Sequence, residues 1–353
     1  MSDIGFEVVG TGHYVPGEPV TNADLARVMT TSDDWIYPRS GIKQRHYAPD
    51  GVGVSDLGCE AARRALRAAN MDAAEIDYIV FATMTPDYVF PGPGALLGAK
   101  LGIPGVPALD IRQQCAAMLF GLQTIQGLIQ TRAAKTILFV GAEAHAGFMP
   151  WEDWGALDPK SGREATPEAR ARADKHRHLA VLFGDGAGAL IVRATDRDAG
   201  LRAIKIQSDG RFAELLYVPG GGFRTRPYWK AGMYEEDAHI PRMDGKELFK
   251  FAVTKLPKTA RELCAAHGVS MDAIDVFLAH QANQRINEAI RKSLDVPVHK
   301  LPSNIARFGN TSGATIPILL DEERRAGRVQ RGQLAMVLAL GTGVHWGCAL
   351  WRL

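Results

Sequence analysis

The sequence predicts an α/β fold assembled from two similar halves, and three observations carry that prediction. Continuous apolar runs such as Tyr78-Ile-Val-Phe-Ala-Thr83 have the composition of strands buried on both faces. They alternate with stretches whose apolar residues recur every three or four positions, the period of a helix lying on a sheet. The same alternation then occurs a second time, with a boundary near residue 195.

Taken in order, Gly5 to Val15 reads as a strand and turn, and Thr30-Thr-Ser-Asp-Asp-Trp-Ile36 as a polar cap opening a short helix. Ser55 to Ala69 is amphipathic and helical, Tyr78 to Thr83 a strand, and Gly94 to Leu101 a helix. A short strand ending near Ile111 runs into Cys115 and a helix carrying Met118, Leu119, Leu122, Ile125 and Leu128 on one side. Thr136 to Gly141 is a further buried strand. In the second half Asp275 to His280 matches the Tyr78 strand, and a helix (Ile286 to Leu294) and the Gly-rich turn Gly309 to Gly313 follow. The helix Ile316 to Arg325 and the strand Leu334 to Leu340 complete the set. Strand centre to turn is about 35 residues in the first copy (Val80 to Cys115) and about 33 in the second (Phe277 to Asn310). Strands joined through helices imply mostly parallel sheets. The halves span residues 1–195 and 196–353, and a polar, charged segment at about 150–178 interrupts the first. Its expected forms are a functional lid or a solvated surface excursion.

With 353 residues the chain is long enough for a large core, and 23% charged residues suit a globular enzyme. Charge is nearly balanced, 41 basic against 39 acidic residues, so no global field points to nucleic acid or membrane. No apolar run approaches the roughly 18 residues of a membrane span, and Met1 to Gly5 does not open a secretion signal. Cys59, Cys115, Cys264 and Cys348 form no CxxC pair, which disfavours a disulfide framework or structural metal site and suits a reducing, cytoplasmic setting.

Duplicated α/β halves bring equivalent strand ends together, where ligands bind. Cys115 at one turn, His280 at a strand end and Asn310 at the other turn then form one constellation. A cysteine at a helix start meets unpaired N–H groups that favour its thiolate. A distant His and Asn are the parts that accompany a thiolate nucleophile. Singly, each has a plainer reading: a small core hydrophobe, a structural imidazole, and a turn residue tolerating left-handed backbone.

Asp110-Ile-Arg-Gln-Gln-Cys115, His280-Gln-Ala-Asn-Gln-Arg-Ile286, Gly309-Asn-Thr-Ser312 and Gly341-Thr-Gly-Val-His-Trp-Gly347 resemble motifs of the β-ketoacyl-acyl carrier protein synthase III family, within the thiolase superfamily. Thr31 to Ile42, Phe183 to Gly188 and Ser208 to Gly210 extend the likeness across nearly the whole chain. The resemblance implies a five-layered αβαβα thiolase fold, a homodimer and a two-stage Claisen condensation without metal or cofactor. Cys115 would take an acyl group from a coenzyme A thioester. A malonyl thioester on acyl carrier protein would then lose CO₂ and attack it, with His280 Nε2 and Asn310 donating to the enolate oxygen. The N–H groups of Cys115 and Gly343 would form the oxyanion hole. By the same resemblance Thr31, Trp35 and Arg39 meet coenzyme A, and Asn283 supports the Asn310 region. Phe90, Gln114 and Met118 wall the acyl pocket, Phe90 reaching across to the partner subunit. Lys250 and Arg285 meet the acidic carrier protein.

Where the family commonly has Ala-Ala-Cys-Ala-Gly-Phe, this chain has Gln113-Gln-Cys-Ala-Ala-Met118. Glutamines and a flexible methionine reshape the walls beside the acyl group and suit a longer or bulkier chain. A long-chain or head-to-head condensing enzyme, an acyltransferase that leaves malonyl intact, and a non-catalytic structural paralogue are the alternatives. The presence of both His280 and Asn310 speaks against the last two.

Overall fold

The computed structural model describes residues 4–353; the N-terminal reading at Met1 to Asp3 lies outside them. The strands that build the two main sheets are β1 (Gly5–Tyr14), β2 (Tyr78–Ala82), β3 (Ala108–Ile111), β4 (Thr136–Glu143), β5 (Gly186–Thr195), β6 (Gly200–Ser208), β7 (Val276–Ala279), β8 (Leu334–Gly341) and β9 (His345–Arg352). The helices that matter for the site are α1 (Asp33–Ser40), α2 (Val54–Ala69), α3 (Pro93–Lys100), α4 (Ala117–Gln130), α5 (Pro167–Lys175), α6 (Gly245–Ala266), α7 (Gln284–Leu294) and α8 (Thr315–Arg325).

The first sheet has the order β1-β5-β4-β2-β3 and the second β7-β8-β9-β6. Neither is mostly parallel. Only β4/β2, β2/β3 and β7/β8 run parallel, while β1/β5, β5/β4, β8/β9 and β9/β6 are antiparallel. A two-sided apolar run signals burial on both faces, and a covered antiparallel strand satisfies that as well as a parallel one.

Three apolar clusters show the layering. One joins α2 and α3 to the outer face of the first sheet through Leu57, Ala61, Leu97, Phe81 and Ile191. The largest joins the inner faces of both sheets through the sandwiched helices α4 and α8, with Leu122, Ile125, Leu319, Phe139 and Val337 fully buried. A third seats α6 and α7 on the outer face of the second sheet through Leu256, Leu263, Ile290, Phe277 and Leu350. Helix, sheet, helix pair, sheet, helix is a five-layered αβαβα arrangement. Because the first turns of α4 and α8 are buried between the sheets, the turns that feed them meet in the middle of the protein.

The segment at 150–178 is solvated over 158–164 but anchored on either side of that stretch. Trp151, Ala156, Leu157 and Ala173 are buried against Leu25, Met29, Ile36 and Tyr47 in a fourth cluster, and Arg170 on α5 donates to the carbonyls of Ala26 and Arg27. Its polar composition hid a spaced set of apolar anchors. Among the described residues no helix is long and apolar enough to cross a membrane.

Candidate active site

Cys115 lies in a single 3₁₀ turn (Gln114–Ala116) immediately before α4, where Gln114 adopts φ 46°. The turn is pressed on the end of β8: a Cβ on Gly341 would stand 2.7 Å from the Gln113 carbonyl oxygen and 3.1 Å from the Cys115 nitrogen. Only glycine permits that approach. His280 follows the last residue of β7 and its N–H bonds the Leu338 carbonyl of β8 at 2.9 Å. Asn310 is held by its backbone, its N–H on the Leu182 carbonyl at 2.9 Å and its carbonyl taking the Gly184 N–H at 3.2 Å. Cys115, His280 and Asn310 all line one cavity of about 420 Å³, whose walls also include Trp35, Arg39, Asn283 and Arg285.

A second turn orients this set. Ser312–Ala314 is another 3₁₀ turn, feeding α8, and Ser312 has φ 45°. The Ser312 N–H donates to Asn310 Oδ1 at 2.9 Å, so the Asn310 amide nitrogen is the atom left for a ligand. The Ser312 carbonyl accepts the Thr315 hydroxyl at 3.0 Å, and Thr315 Oγ1 is 2.7 Å from His280 Nδ1. The Cys115 thiol donates to Ser312 Oγ at 3.3 Å. Beneath lies Glu143, fully buried, whose carboxylate accepts from the Thr83 hydroxyl (3.1 Å), the Thr85 hydroxyl (2.6 Å) and the Met84 N–H (3.1 Å). The Gly313 N–H approaches the other carboxylate oxygen at 3.4 Å.

The pairing of the two turns corrects the expected equivalence. By their 3₁₀ turns Gln114 corresponds to Ser312 and Cys115 to Gly313; Asn310 lies three residues earlier. The expectation of an easily ionised thiol is also overturned. Burial pushes the Cys115 thiol up to about 12, and the Ser312 contact only partly offsets this. One short helix start does not repay the cost of removing a thiolate from water. Burial likewise lowers His280 to about 3, so its resting ring is neutral.

The outer residues divide. The Arg39 guanidinium lies 4.9 Å from the Trp35 ring centre, and Arg177, which the sequence reading missed, lies 4.2 Å from it. Trp35 and Arg39 border the cavity, whereas Thr31 does not, and its hydroxyl is buried without a partner. Asn283 does not support Asn310. Its side chain caps α7 through the Arg285 N–H and donates to the Arg39 carbonyl at 2.9 Å, tying α7 to α1. Arg285 borders the cavity, but Lys250 is exposed, paired with Glu247 and not part of it. Gln114 and Gly343 line a second cavity of about 360 Å³, which shares Phe183, Leu216 and Thr342 with the first. Met118 lines neither; it is 1% exposed and packed in the central core. Phe90 is 78% exposed beside Tyr88 and Val89, which excludes a core role within its own chain. Among the described residues no group of three or more His, Cys, Asp or Glu is placed to hold a metal.

The profile described as 3-oxoacyl-[acyl-carrier-protein] synthase III matches residues 109–158 and 167–210, and its C-terminal companion matches 264–353. Only 159–166 fall between the matched stretches of the first, so most of the 150–178 segment is shared with that family. The β-ketoacyl-[acyl-carrier-protein] synthase III of Rhodospirillum rubrum is 42% identical over 352 residues, covering 98% of each chain. The solved 3-oxoacyl-[acyl-carrier-protein] synthase III of Aquifex aeolicus superposes with a TM-score of 0.84 at 34% identity, covering 99% of this chain and 100% of that one. That of Pseudomonas aeruginosa gives 0.83 at 32%, covering 99% and 98%.

Proposed function

The chain belongs to the 3-oxoacyl-[acyl-carrier-protein] synthase III family, and from that premise we propose that it condenses an acyl group held on Cys115 with a malonyl thioester, releasing CO₂ and a 3-oxoacyl thioester. Such an acyltransferase serves fatty acid or related lipid biosynthesis. The observation that carries the reading is the convergence of Cys115, His280 and Asn310 on one cavity with a cationic, aromatic rim.

In the first stage Cys115 Sγ attacks the acyl carbon of a coenzyme A thioester, and the N–H groups of Cys115 and Gly343 take the oxyanion. Trp35 presents an aromatic face, and Arg39 and Arg177 the cations, for the nucleotide and phosphates of coenzyme A. In the second stage the malonyl thioester loses CO₂ and negative charge grows on its carbonyl oxygen. The Asn310 amide, aimed by Ser312, and His280 stabilise that charge; one such donor is worth about 2.7–4 kcal/mol. Both stages proceed on side-chain chemistry, without a bound cofactor.

Arg285, at the cavity rim, and Lys250 nearby on α6 are read as the docking points of an acidic carrier protein. The exposed apolar tip Tyr88-Val89-Phe90 supports a homodimer in which Phe90 enters the second copy's acyl site. We read residues 1–195 and 196–353 as the two thiolase-like halves, and the cytoplasm as the setting. The second cavity, beside Gln114, offers about 360 Å³. That space favours an acyl group longer than acetyl, and it supports the specialised-chain reading within the same family.

The test is incubation with coenzyme A thioesters of graded chain length, followed by intact-mass measurement. An acyl adduct on Cys115, lost in Cys115→Ala, is expected; no adduct at any length overturns the proposal.

A further inference from the structure

The His280 side chain has one hydrogen bond among the described residues, between Nδ1 and the Thr315 hydroxyl at 2.7 Å. Thr315 Oγ1 in turn lies 3.0 Å from the Ser312 carbonyl oxygen. A carbonyl oxygen only accepts, so the single hydroxyl proton of Thr315 must point to Ser312. Were it turned to His280 instead, the two oxygens would face each other with no hydrogen between them. Both contacts are satisfied in one arrangement only: His280 carries its proton on Nδ1 and donates it to Thr315. Thr315 is 2% exposed at the first position of α8, and bonding its own i−3 carbonyl holds its side chain in one rotamer.

We propose that Thr315 is a positioning residue that fixes the tautomer of His280, leaving Nε2 as a bare acceptor facing the cavity in the resting enzyme. The proposal rests on the reaction assigned above and deepens it. Nε2 shares the cavity with the Cys115 thiol and faces it as an acceptor rather than as a donor, ready to take its proton as the acyl bond forms. As Sγ bonds to the acyl carbon, the thiol proton passes to Nε2. The carbon–sulfur bond to coenzyme A breaks with its electron pair on sulfur, and that thiolate takes a proton from solvent. His280 then holds protons on both nitrogens, a state that burial disfavours in the resting enzyme and that is confined to the acylated intermediate, and Nε2 has become the donor that the malonyl stage requires. When the carboxyl–carbon bond of the malonyl group breaks, its electron pair forms the enolate, whose oxygen accepts the Nε2–H. The new carbon–carbon bond expels Cys115 as thiolate, which recovers its proton from Nε2. One proton is taken from solvent per turnover, and Thr315 keeps its bond to Nδ1–H throughout.

The experiment is ¹⁵N NMR of histidine-labelled enzyme, with the His280 signals identified by their loss in His280→Gln. A protonated Nδ1 and an unprotonated Nε2 are expected in the free wild type. In Thr315→Val the tautomers should redistribute toward Nε2–H. Single-turnover acyl transfer to Cys115 should fall by roughly 10²-fold at unchanged KM for the acyl thioester. Thr315→Ser, which restores the hydroxyl, should return both the spectrum and the rate. A wild-type His280 protonated on Nε2 overturns the proposal without any variant, as does Thr315→Val with wild-type spectrum and rate. If Thr315→Val fails to fold, the wild-type spectrum and Thr315→Ser still decide. Absence of any acyl adduct in wild type would instead sink the reaction assignment and leave the tautomer to be read from the same spectrum.

Discussion

The two 3₁₀ turns that feed the central helices share a backbone and differ in everything else. Gln114 at φ 46° and Ser312 at φ 45° occupy the same left-handed conformation, which costs a non-glycine residue on the order of 1 kcal/mol. Each is followed by a buried helix start. At the first turn the polar atoms are under-used: the Gln113 and Gln114 side-chain oxygens are buried without partners, and the one reactive group is a neutral thiol. At the second turn every polar group of Ser312 is engaged, its N–H with Asn310, its carbonyl with Thr315 and its hydroxyl with Cys115. The two turns thus share a geometry and differ in bonding: one carries the thiol, and the other holds Asn310, Thr315 and Cys115 in register.

That division can be broken from either side. Cys115→Ala has the largest expected effect: the acyl adduct disappears from the mass spectrum and condensation with it. Asn310→Ala strikes the holding turn. It should leave the adduct on Cys115 intact while malonyl-dependent CO₂ release falls by roughly 10²- to 10³-fold; equal loss of both stages would contradict the separation. The thiol itself sharpens the contrast. Because Cys115 is pushed up to about 12, its thiolate fraction grows with pH throughout the accessible range. Iodoacetamide alkylation of the free enzyme should therefore rise roughly tenfold per pH unit from 7 to 10. A plateau near pH 7 would show instead that the helix start wins. Glu143→Leu removes the carboxylate on which Thr83, Thr85, Met84 and Gly313 converge. Orphaned donors cost about 1–3 kcal/mol apiece, so a loss of about 3 kcal/mol in denaturant unfolding is expected. Smallest is Arg177→Ala at the rim, where losing one cation from Trp35 should raise KM for the coenzyme A thioester about two- to fivefold without changing kcat.

Legibility followed the range of the interaction. Cys115, His280 and Asn310 stood out because the motifs around them are local runs of residues in a repeated frame. Ser312, Thr315 and Glu143 gave no comparable signal. A Ser in a Gly-rich turn is ordinary, and its importance lies in bonds to Cys115 and Asn310 that appear only when two distant turns meet. Arg177 was lost within a charged run, and what marks it is its ring partner 142 positions away. Met118 shows the opposite error. Its helical phase correctly made it buried, but phase does not say whether a buried face meets a cavity or the core.

Alone, the sequence determined the alternation of strands and helices and the family, and it nominated the two halves and the three residues we propose at the centre of the chemistry. These follow from periodicity and from short motifs, both properties of neighbouring residues. Tertiary structure decided the direction of the outer strands, the packing of 150–178, the protonation of Cys115 and the hydrogen-bonded frame on Ser312. Each of these depends on which distant groups exclude water or supply a partner, and burial outweighed the local helix start wherever the two competed.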